Sequence, residues 1–400
     1  ASFPSLIMRC RWQQLRLATR RARASGRMLS SSQVPRPEVR PDFGRGWPHP
    51  DLLEGQLPQQ LAESFQRGLP LARESLNYGT ATSSFRFGHP EFLKGLAGFL
   101  SQQYGAPVEA SCLMTTGGAS MGVDLALRSF RGSGGVCVFE EPSYYLSFNM
   151  ARDQGLECRS VPLYQDGMDL DRLEEICMEG NVRMVYTIPV HHNPTGYTMG
   201  NEKRQRLVEL ARKYDFMVVA DEAYQLLNFG PPEVQALHFH DSAEDPRVVS
   251  VGTFSKLIGP GVKVGWLQAD ARLLKRMAAV GYVESGGNPV TFSSMALLHF
   301  MTSGQLDKHI AHVSSELSQR CQWLCRNLRE LGLEVYEPRG GYFLWVKGQL
   351  CIGKEGRDFT IRQESCSDYT RLSFSWLSWE EMQRGVDLLR TALRKEKWNF

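Results

Sequence analysis

The chain has 400 residues, of which 42% are hydrophobic and 22% charged, and its formal net charge is +3. This apolar fraction is too high for a disordered protein, and nine cysteines are too few for a disulfide scaffold. No stretch approaches the ~18 uninterrupted apolar residues of a membrane span, so we expect no membrane partner. At about 100–200 residues per domain, the length predicts two or three domains.

The charge is concentrated at one end. Residues 1–37 hold eight arginines, no lysine and no acidic residue, so subtracting this +8 from +3 leaves −5 for residues 38–400. An Arg-rich, Ser-containing tail without acids is typical of a mitochondrial transit peptide. It predicts a mitochondrial matrix protein, or a cytoplasmic one if translation starts near Met28, and a disordered basic extension is the alternative. The acidic body, and a tail too short for a winged-helix domain, predict no nucleic-acid partner.

The first predicted element of the body is an extended lead-in over residues 38–75, because six prolines between positions 35 and 58 disfavour helix. A helical apolar pattern follows at 90–104, and β-rich runs then alternate with helical stretches. The predicted strands are 136–139, 158–162, 184–188, 216–220, 248–251 and 264–267. The predicted helices are 119–130, 143–153, 169–179 and 201–213. Strands without a polar face, alternating with helices, predict an α/β fold with a mostly parallel sheet covered on both sides.

The rhythm changes after about residue 285. A long helical pattern at 305–331 leads to strand-like runs, which are 333–336, 341–347 and 371–375, and a last helix is predicted at 379–396. We therefore expect a large domain over 76–285 and a smaller α+β C-terminal domain over 286–400. Between these runs, residues 348–358 are rich in glycine and predict a loop.

Four short motifs accompany the predicted strands. Thr116–Gly122 opens a helix, and its small residues let backbone N–H groups approach an anion. Asn193–Gly196, Asp221–Tyr224 and Ser250–Lys256 each follow or end a strand, at the edge where open α/β sheets place ligands. Each motif alone is equally consistent with a turn, a helix cap or a surface residue, but four at one sheet edge favour a binding site. For His191-His192, beside the second motif, we expect packing or hydrogen bonding rather than metal binding, and we predict no metal site.

In this combination, the sequence resembles the class I/II aminotransferases of the fold-type I pyridoxal-phosphate (PLP) enzymes. Its nearest group is that of the kynurenine and 2-aminoadipate aminotransferases. The matching stretches are Tyr78-Gly79, Gly117-Gly118, Pro142-Ser143-Tyr144, Asn193–Gly196, Asp221–Tyr224, Ser255-Lys256, Pro260–Trp266, Gly340–Trp345 and Arg371–Ser375. The resemblance implies the three-layer PLP-dependent transferase fold, PLP as the cofactor, and amino-group transfer from an L-amino acid to a 2-oxo acid.

The resemblance also implies roles for individual residues. Lys256 would be the Schiff-base lysine and would move the proton at the substrate Cα, and Asp221 would pair with the pyridinium nitrogen. Asn193 and Tyr224 would bind the ring hydroxyl oxygen, and Asn193 would also contact the substrate. Arg371 would clamp the substrate carboxylate with its guanidinium fork. The other implied cofactor contacts are Gly118, Ala119, Tyr144 on the ring face, Thr253, Ser255 and Lys263.

The resemblance further implies a homodimer, in which Tyr78 would reach the phosphate of a neighbouring subunit.

The sequence also departs from the family pattern at two residues and in one segment. Lys263 stands where the family usually has Arg, and Thr253 where it usually has Ser. The 348–358 segment is too short for the helix and strand that the family places there, which predicts either a trimmed small domain or a splice or gene-model variant. A PLP-dependent β-lyase of the cysteine-conjugate type and a catalytically weak PLP-fold protein remain as alternatives.

Overall fold

Alternating strands and helices build the central part of the chain. In the computed structural model, the described residues are 41–396 except 54, 81–82 and 363–364. The basic tail at 1–37, and the targeting role predicted for it, therefore lie outside the described residues. No described helix is long and apolar enough to cross a membrane.

The strands follow the predicted runs closely in the large sheet. They are β1 Gly79–Thr80, β2 Ser83–Ser84, β3 Leu113–Thr116, β4 Gly135–Glu141, β5 Leu156–Tyr164, β6 Gly167–Met168, β7 Val182–Thr187, β8 Met217–Asp221, β9 Val248–Thr253, β10 Gly265–Gln268, β11 Phe343–Lys347, β12 Lys354–Glu355 and β13 Tyr369–Ser373. The helices are α1 Leu57–Ser75, α2 Pro90–Tyr104, α3 Ala119–Phe130, α4 Tyr145–Asp153, α5 Leu170–Glu179, α6 Asn201–Lys213, α7 Ala271–Ala278, α8 Gly281–Gly286, α9 Thr291–Thr302, α10 Gln305–Glu330 and α11 Trp379–Glu396.

Eight strands form the large sheet in the order β3-β10-β9-β8-β7-β4-β5-β6. The neighbours from β9 to β5 are parallel, whereas β10 and β6 pair antiparallel with their neighbours. Every residue of β8 and β9 is buried, because helices cover both faces of a parallel sheet. Alternate residues of β4 enter different core clusters: Cys137 and Phe139 face one layer, and Val136 and Val138 the other. The three-layer α/β prediction is confirmed.

The C-terminal part contains a small antiparallel sheet in the order β11-β13-β12. Its strands contribute to the same core cluster as α10 and α11, whose buried residues include Leu324 and Val386. This combination of a small sheet and long helices agrees with the predicted α+β character. The domain boundaries at residues 75 and 285 stay a prediction.

Three predicted elements differ in the structure. The predicted lead-in over 38–75 is not extended throughout, because Pro50–Leu52 forms a short 3₁₀ helix and 57–75 forms α1; Pro58 lies in the first turn of α1, where the missing N–H costs nothing. The run 333–336 is not a strand, since only Val335 makes an isolated bridge, to Val346. Within the predicted 348–358 loop, 354–355 form β12 and 356–359 a short 3₁₀ helix.

Candidate active site

A carboxylate with one unsatisfied oxygen ends the central strand β8. The Tyr186 hydroxyl donates a hydrogen bond to Asp221 Oδ2 at 2.7 Å, whereas Oδ1 is buried and has no hydrogen-bond partner among the described residues. Burial raises the pKa of Asp221, although the Tyr186 hydrogen bond and the Lys256 charge oppose that rise. Because buried polar atoms are nearly always paired, this oxygen is suited to a ligand that brings a cationic N–H donor.

The amine of Lys256 faces this edge from the turn that follows β9. Its Nζ donates a hydrogen bond to Gly46 O at 3.0 Å. Part of the residue is accessible, yet its protein surroundings lower the pKa of Lys256 to about 8; burial is the main cause, and the charges of Arg371 and Lys263 add to it while Asp221 opposes it. A lysine with such a pKa is partly neutral near pH 7–8, which allows it to act as a nucleophile or base.

Aromatic rings surround the amine. The Tyr224 ring centroid lies 5.7 Å from Lys256 Nζ, and that of Tyr342 5.8 Å. The Tyr342 hydroxyl donates to Lys256 O at 2.6 Å, which fixes the backbone of the turn. Tyr144 borders the same space: burial and then the Asp221 charge raise its pKa to about 12. These tyrosines are neutral hydroxyls at physiological pH, so they can donate hydrogen bonds.

A small anion cradle opens beside the lysine. Helix α3 begins at Ala119 after Gly118, which has φ 90°, and the first N–H groups of a helix have no intrahelical partner. A Cβ on Gly118 would stand 3.7 Å from Ser255 Oγ and 3.8 Å from Thr253 Oγ1, so both hydroxyls face this helix end. They lie 3.1 Å apart. Gly265 permits this approach, since a Cβ there would come within 2.9 Å of Gly118 Cα.

Two predicted cofactor contacts, Lys263 and Tyr78, are exposed on the single chain. Lys263 is exposed, with φ 51°, and its charge acts on Lys256. Tyr78 is 75% exposed, and among the described residues no hydrogen bond, ion pair or ring contact joins its side chain to the other predicted site residues. The single chain therefore does not bring Tyr78 into its own site.

A buried arginine forms the opposite wall. The Nη1 atom of Arg371, in β13, donates to Asn193 Oδ1 at 2.8 Å, and Nη2 donates to Gly44 O at 2.5 Å. Its Nε has no partner among the described residues. Burial lowers the pKa of Arg371 to about 10, so the guanidinium stays charged at neutral pH and is suited to a carboxylate.

The structure adds two supporting groups that sequence reasoning missed, Tyr186 and Glu140, and it shows the hydrogen bonding that was expected for His191-His192. The Nε2 atom of His192 lies 3.2 Å from Glu140 Oε2, both side chains being buried, and His192 Nδ1 lies 3.0 Å from Thr195 Oγ1. Electrostatic interaction with His192 lowers the pKa of Asp221. The described residues contain no group of three or more His, Cys, Asp and Glu side chains placed to bind a metal. A buried Glu or Tyr within a strand gives no sequence signal of such a role; the carbonyls of Gly44 and Gly46 give none either.

Comparisons with known proteins show which family this site belongs to. Residues 50–356 match the model of the family "Aminotransferase class I and II". Aromatic-amino-acid aminotransferase 1 of Thermococcus litoralis is 30% identical over 379 residues, which cover 88% of this chain and 87% of that protein. The 2-aminoadipate transaminase of Thermus thermophilus is 27% identical, with 88% and 89% covered. The crystal structure of Pyrococcus horikoshii kynurenine aminotransferase has a TM-score of 0.78 at 25% identity, with 94% of this chain and 96% of that chain covered.

The chain belongs to the class I and II aminotransferases. It is a PLP-dependent aminotransferase with the fold of the fold-type I PLP enzymes, and the resemblance drawn from its motifs is confirmed. The residues present fit the cofactor: the bare Asp221 Oδ1 suits a protonated ring nitrogen, and the Gly118 cradle suits a phosphate. Lys256 would hold the aldehyde carbon, as the motif predicts. No comparison favours a β-lyase or a catalytically weak protein.

Proposed function

We propose that this chain transfers the amino group of an L-amino acid to a 2-oxo acid, with Lys256 as the base and Arg371 as the carboxylate anchor. The observation that carries the proposal is the placement of a partly neutral Lys256 amine among Asp221, Tyr224 and Arg371. PLP, when bound, supplies an electron sink for a carbanion at the substrate Cα. The residues described above would bind the cofactor, orient the substrate and move the proton at the substrate Cα.

Each residue then has a distinct task. Asp221 Oδ1, which has no partner among the described residues, would accept a hydrogen bond from the ring N–H, and the carboxylate charge would keep that nitrogen protonated. Arg371 orients the α-carboxylate, and Asn193 holds the guanidinium in position through its 2.8 Å hydrogen bond. Lys256 takes the proton from the substrate Cα, because its lowered pKa leaves it partly neutral at physiological pH. Tyr224 and Asn193 offer polar groups to the ring hydroxyl.

A donor screen tests the proposed reaction. The purified protein, with PLP and 2-oxoglutarate as acceptor, should convert several L-amino acids into their 2-oxo acids with equimolar glutamate. Lys256→Ala should reduce turnover by about 10²–10⁴-fold, the usual loss on removal of a general base. Release of pyruvate and ammonia without glutamate would identify a lyase and contradict the proposal.

The active form is proposed to be a homodimer. The support is that Tyr78, which belongs to a matching motif, is 75% exposed on its own chain. Its hydroxyl would complete the phosphate site of the partner subunit, in addition to the N-terminus of α3 and the Thr253 and Ser255 hydroxyls. Sedimentation of the holoenzyme should give twice the chain mass of 45.2 kDa, and a monomer with full activity would contradict this assembly.

The proposed location is the mitochondrial matrix. The support is the composition of residues 1–37, with eight arginines and no acidic residue. A fusion of these residues to a fluorescent reporter should accumulate in mitochondria. The matched control replaces four of the arginines by glutamine and should stay in the cytosol; a wild-type fusion that stays cytosolic would contradict the location.

A further inference from the structure

A buried carboxylate and a buried imidazole face each other next to the cofactor loops. Glu140 is the penultimate residue of β4, and His192 directly precedes Asn193 in the loop after β7. Glu140 Oε2 lies 3.2 Å from His192 Nε2, and each side chain is only 1% exposed. Polar groups buried this deeply destabilise a fold unless they have suitable partners, so the partners of this pair indicate how it is protonated.

The groups around the Glu140 carboxylate are hydrogen-bond donors. Thr187 Oγ1 donates to Oε1 at 2.5 Å, and the Ile188 N–H donates to Oε2 at 2.9 Å. Two donors on two oxygens suit an ionised carboxylate, which has acceptors alone. The Glu140 side chain is therefore fixed at the end of β7, with a negatively charged oxygen facing His192.

The contacts of Thr195 indicate where the imidazole carries its proton. His192 Nδ1 lies 3.0 Å from Thr195 Oγ1 and accepts a hydrogen bond from Thr195 N at 3.5 Å. Thr195 Oγ1 itself accepts from Tyr197 N at 3.2 Å, so its own proton is free to point at Nδ1. An accepting ring nitrogen carries no hydrogen, so the proton is on Nε2, toward Glu140. Nε2 makes no hydrogen bond of good geometry among the described residues, so its contact with Glu140 is electrostatic.

The backbone of His192 closes the same loop. Its N–H donates to Tyr197 O at 2.9 Å, and its carbonyl accepts from Gly196 N at 2.7 Å. Together with the Thr195 contacts, these bonds make residues 192–197 a compact loop. The remaining polar atom of His192, Nε2, is the one that faces β4. His192 therefore links this loop to a strand of the large sheet.

The next residue, Asn193, connects the loop to the carboxylate anchor. Asn193 Oδ1 accepts from Arg371 Nη1 at 2.8 Å, while Nη2 donates to Gly44 O. In the part of the chain that the structure describes, Asn193 is the one side chain that hydrogen-bonds the guanidinium. A small rotation of the loop would turn the Arg371 fork away from a carboxylate, whose two-pronged binding depends on that orientation.

We propose that His192 is a positioning residue for the substrate α-carboxylate, which acts through Asn193 and Arg371 while Glu140 holds its ring. This inference rests on the proposed function, because Arg371 has to bind that carboxylate. Since no hydrogen bond joins His192 to Lys256 within the described residues, loss of the ring should weaken substrate binding more than proton transfer at the substrate Cα.

Two amides of different length separate the contacts of the ring. In His192→Gln, the longer amide can take the place of Nε2 and donate to Glu140; in His192→Asn, the amide oxygen can accept from Thr195, but the side chain does not reach Glu140. We expect His192→Asn to raise KM for the amino donor about tenfold with kcat within about twofold, since binding and not chemistry is impaired. His192→Gln should stay within about threefold of the wild-type KM. His238→Gln is the control and should behave as wild type, because the His238 ring packs against Phe239 outside this loop.

Two kinetic outcomes would overturn the assignment. A fall in kcat at unchanged KM would show that His192 acts in the chemical step. Equal KM values for the Asn and Gln variants would show that the contact with Glu140 positions nothing. A wild-type enzyme that transaminates no amino acid would instead contradict the proposed function itself.

Two further measurements do not depend on turnover. Nitrogen NMR of the histidine rings in the wild-type holoenzyme, assigned by the signal lost in His192→Gln, should show a neutral His192 with its proton on Nε2. A proton on Nδ1 would overturn the assignment without reference to any variant's activity. By calorimetry, the holoenzyme of His192→Asn should bind pentanoate, a carboxylate without an amino group, about tenfold more weakly than that of His192→Gln. Equal affinities of the two variants would contradict the positioning role.

Discussion

At the scale of single residues, the lowered pKa of Lys256 has a direct chemical consequence. With a pKa of about 8, half of the amine is neutral at pH 8, compared with about 0.4% of an ordinary lysine. In the apoprotein, an amine-acylating reagent should therefore modify Lys256 far faster than the exposed Lys347, with a rate that levels off above pH 8. Peptide mass spectrometry measures both rates. A Lys256 rate that keeps rising to pH 10 would contradict the lowered pKa.

The same shift sets the sign of a stability effect. Because the folded-state pKa of Lys256 lies below its ordinary value near 10.4, the unfolded chain binds more protons between about pH 8 and 10. The contribution of this residue therefore makes the apoprotein more stable as the pH rises through that window.

The contribution of Asp221 to the pH dependence of stability has the opposite sign to that of Lys256. Burial raises its pKa, so the ionised carboxylate destabilises the folded apoprotein once the pH rises above its ordinary pKa. Asp221→Asn keeps an oxygen for the Tyr186 hydroxyl and removes the charge. The variant apoprotein should unfold at an equal or higher temperature than the wild type at pH 7, while its PLP affinity falls about tenfold or more. Thermal unfolding and cofactor titration measure the two effects, and an apoprotein of clearly lower stability would contradict this account.

At the scale of elements, the loop between β7 and α6 depends on one buried arginine. The three guanidinium nitrogens of Arg204 donate to Met199 O, Gln235 O and Pro189 O, each at 2.8 Å. This residue is fully buried, and burial lowers its pKa to about 10, where it is still charged at neutral pH. The carbonyls on either side of the Asn193 loop are thus held by a single side chain.

Replacement of Arg204 should show how much its hydrogen bonds stabilise this loop. Arg204→Met should lower the free energy of unfolding by about 3–5 kcal/mol, because three buried carbonyls lose their donor. Arg206→Met is the control on the same helix; its partly exposed pair with Asp171 should contribute less than about 1 kcal/mol. Urea denaturation of both variants measures the difference. Equal losses would show that the buried hydrogen bonds do not hold the loop.

At the scale of the whole molecule, mixed dimers test whether Tyr78 acts across the subunit interface. Tyr78→Phe and Lys256→Ala should each be impaired alone at limiting PLP. In a hybrid of the two, one site contains an intact Lys256 and the intact Tyr78 of the other subunit, so activity should return when the variants are co-expressed. Affinity-tagged hybrids assayed at the same PLP concentration provide the measurement. If Tyr78 acts within its own chain, no hybrid regains activity.

Much of this architecture could be predicted from the sequence. Asn193, Asp221 and Lys256 follow or end strands that run parallel, and the carboxyl ends of such strands meet at one edge. Helix α1 could not be predicted, because Pro58 and Pro70 indicate extended chain and only packing against the rest of the molecule stabilises a helix there. The partners of Asp221 and of His192 were also beyond prediction, since a strand Tyr186 or Glu140 has the same local pattern whether or not it supports a site.

The hydrogen bonds from Lys256 to Gly46 O and from Arg371 to Gly44 O have a consequence for how this enzyme tolerates change. Both acceptors are main-chain atoms, so their positions depend on the backbone path of the lead-in and not on a polar side chain there. In an alanine scan of this stretch we expect the largest effects at Gly46, where a Cβ would come within 2.5 Å of the Phe343 ring, and at the fully buried Phe43. Insertion or deletion of one residue between 41 and 44 would shift both carbonyls at once, so this segment is constrained in its length as well as at Phe43 and Gly46.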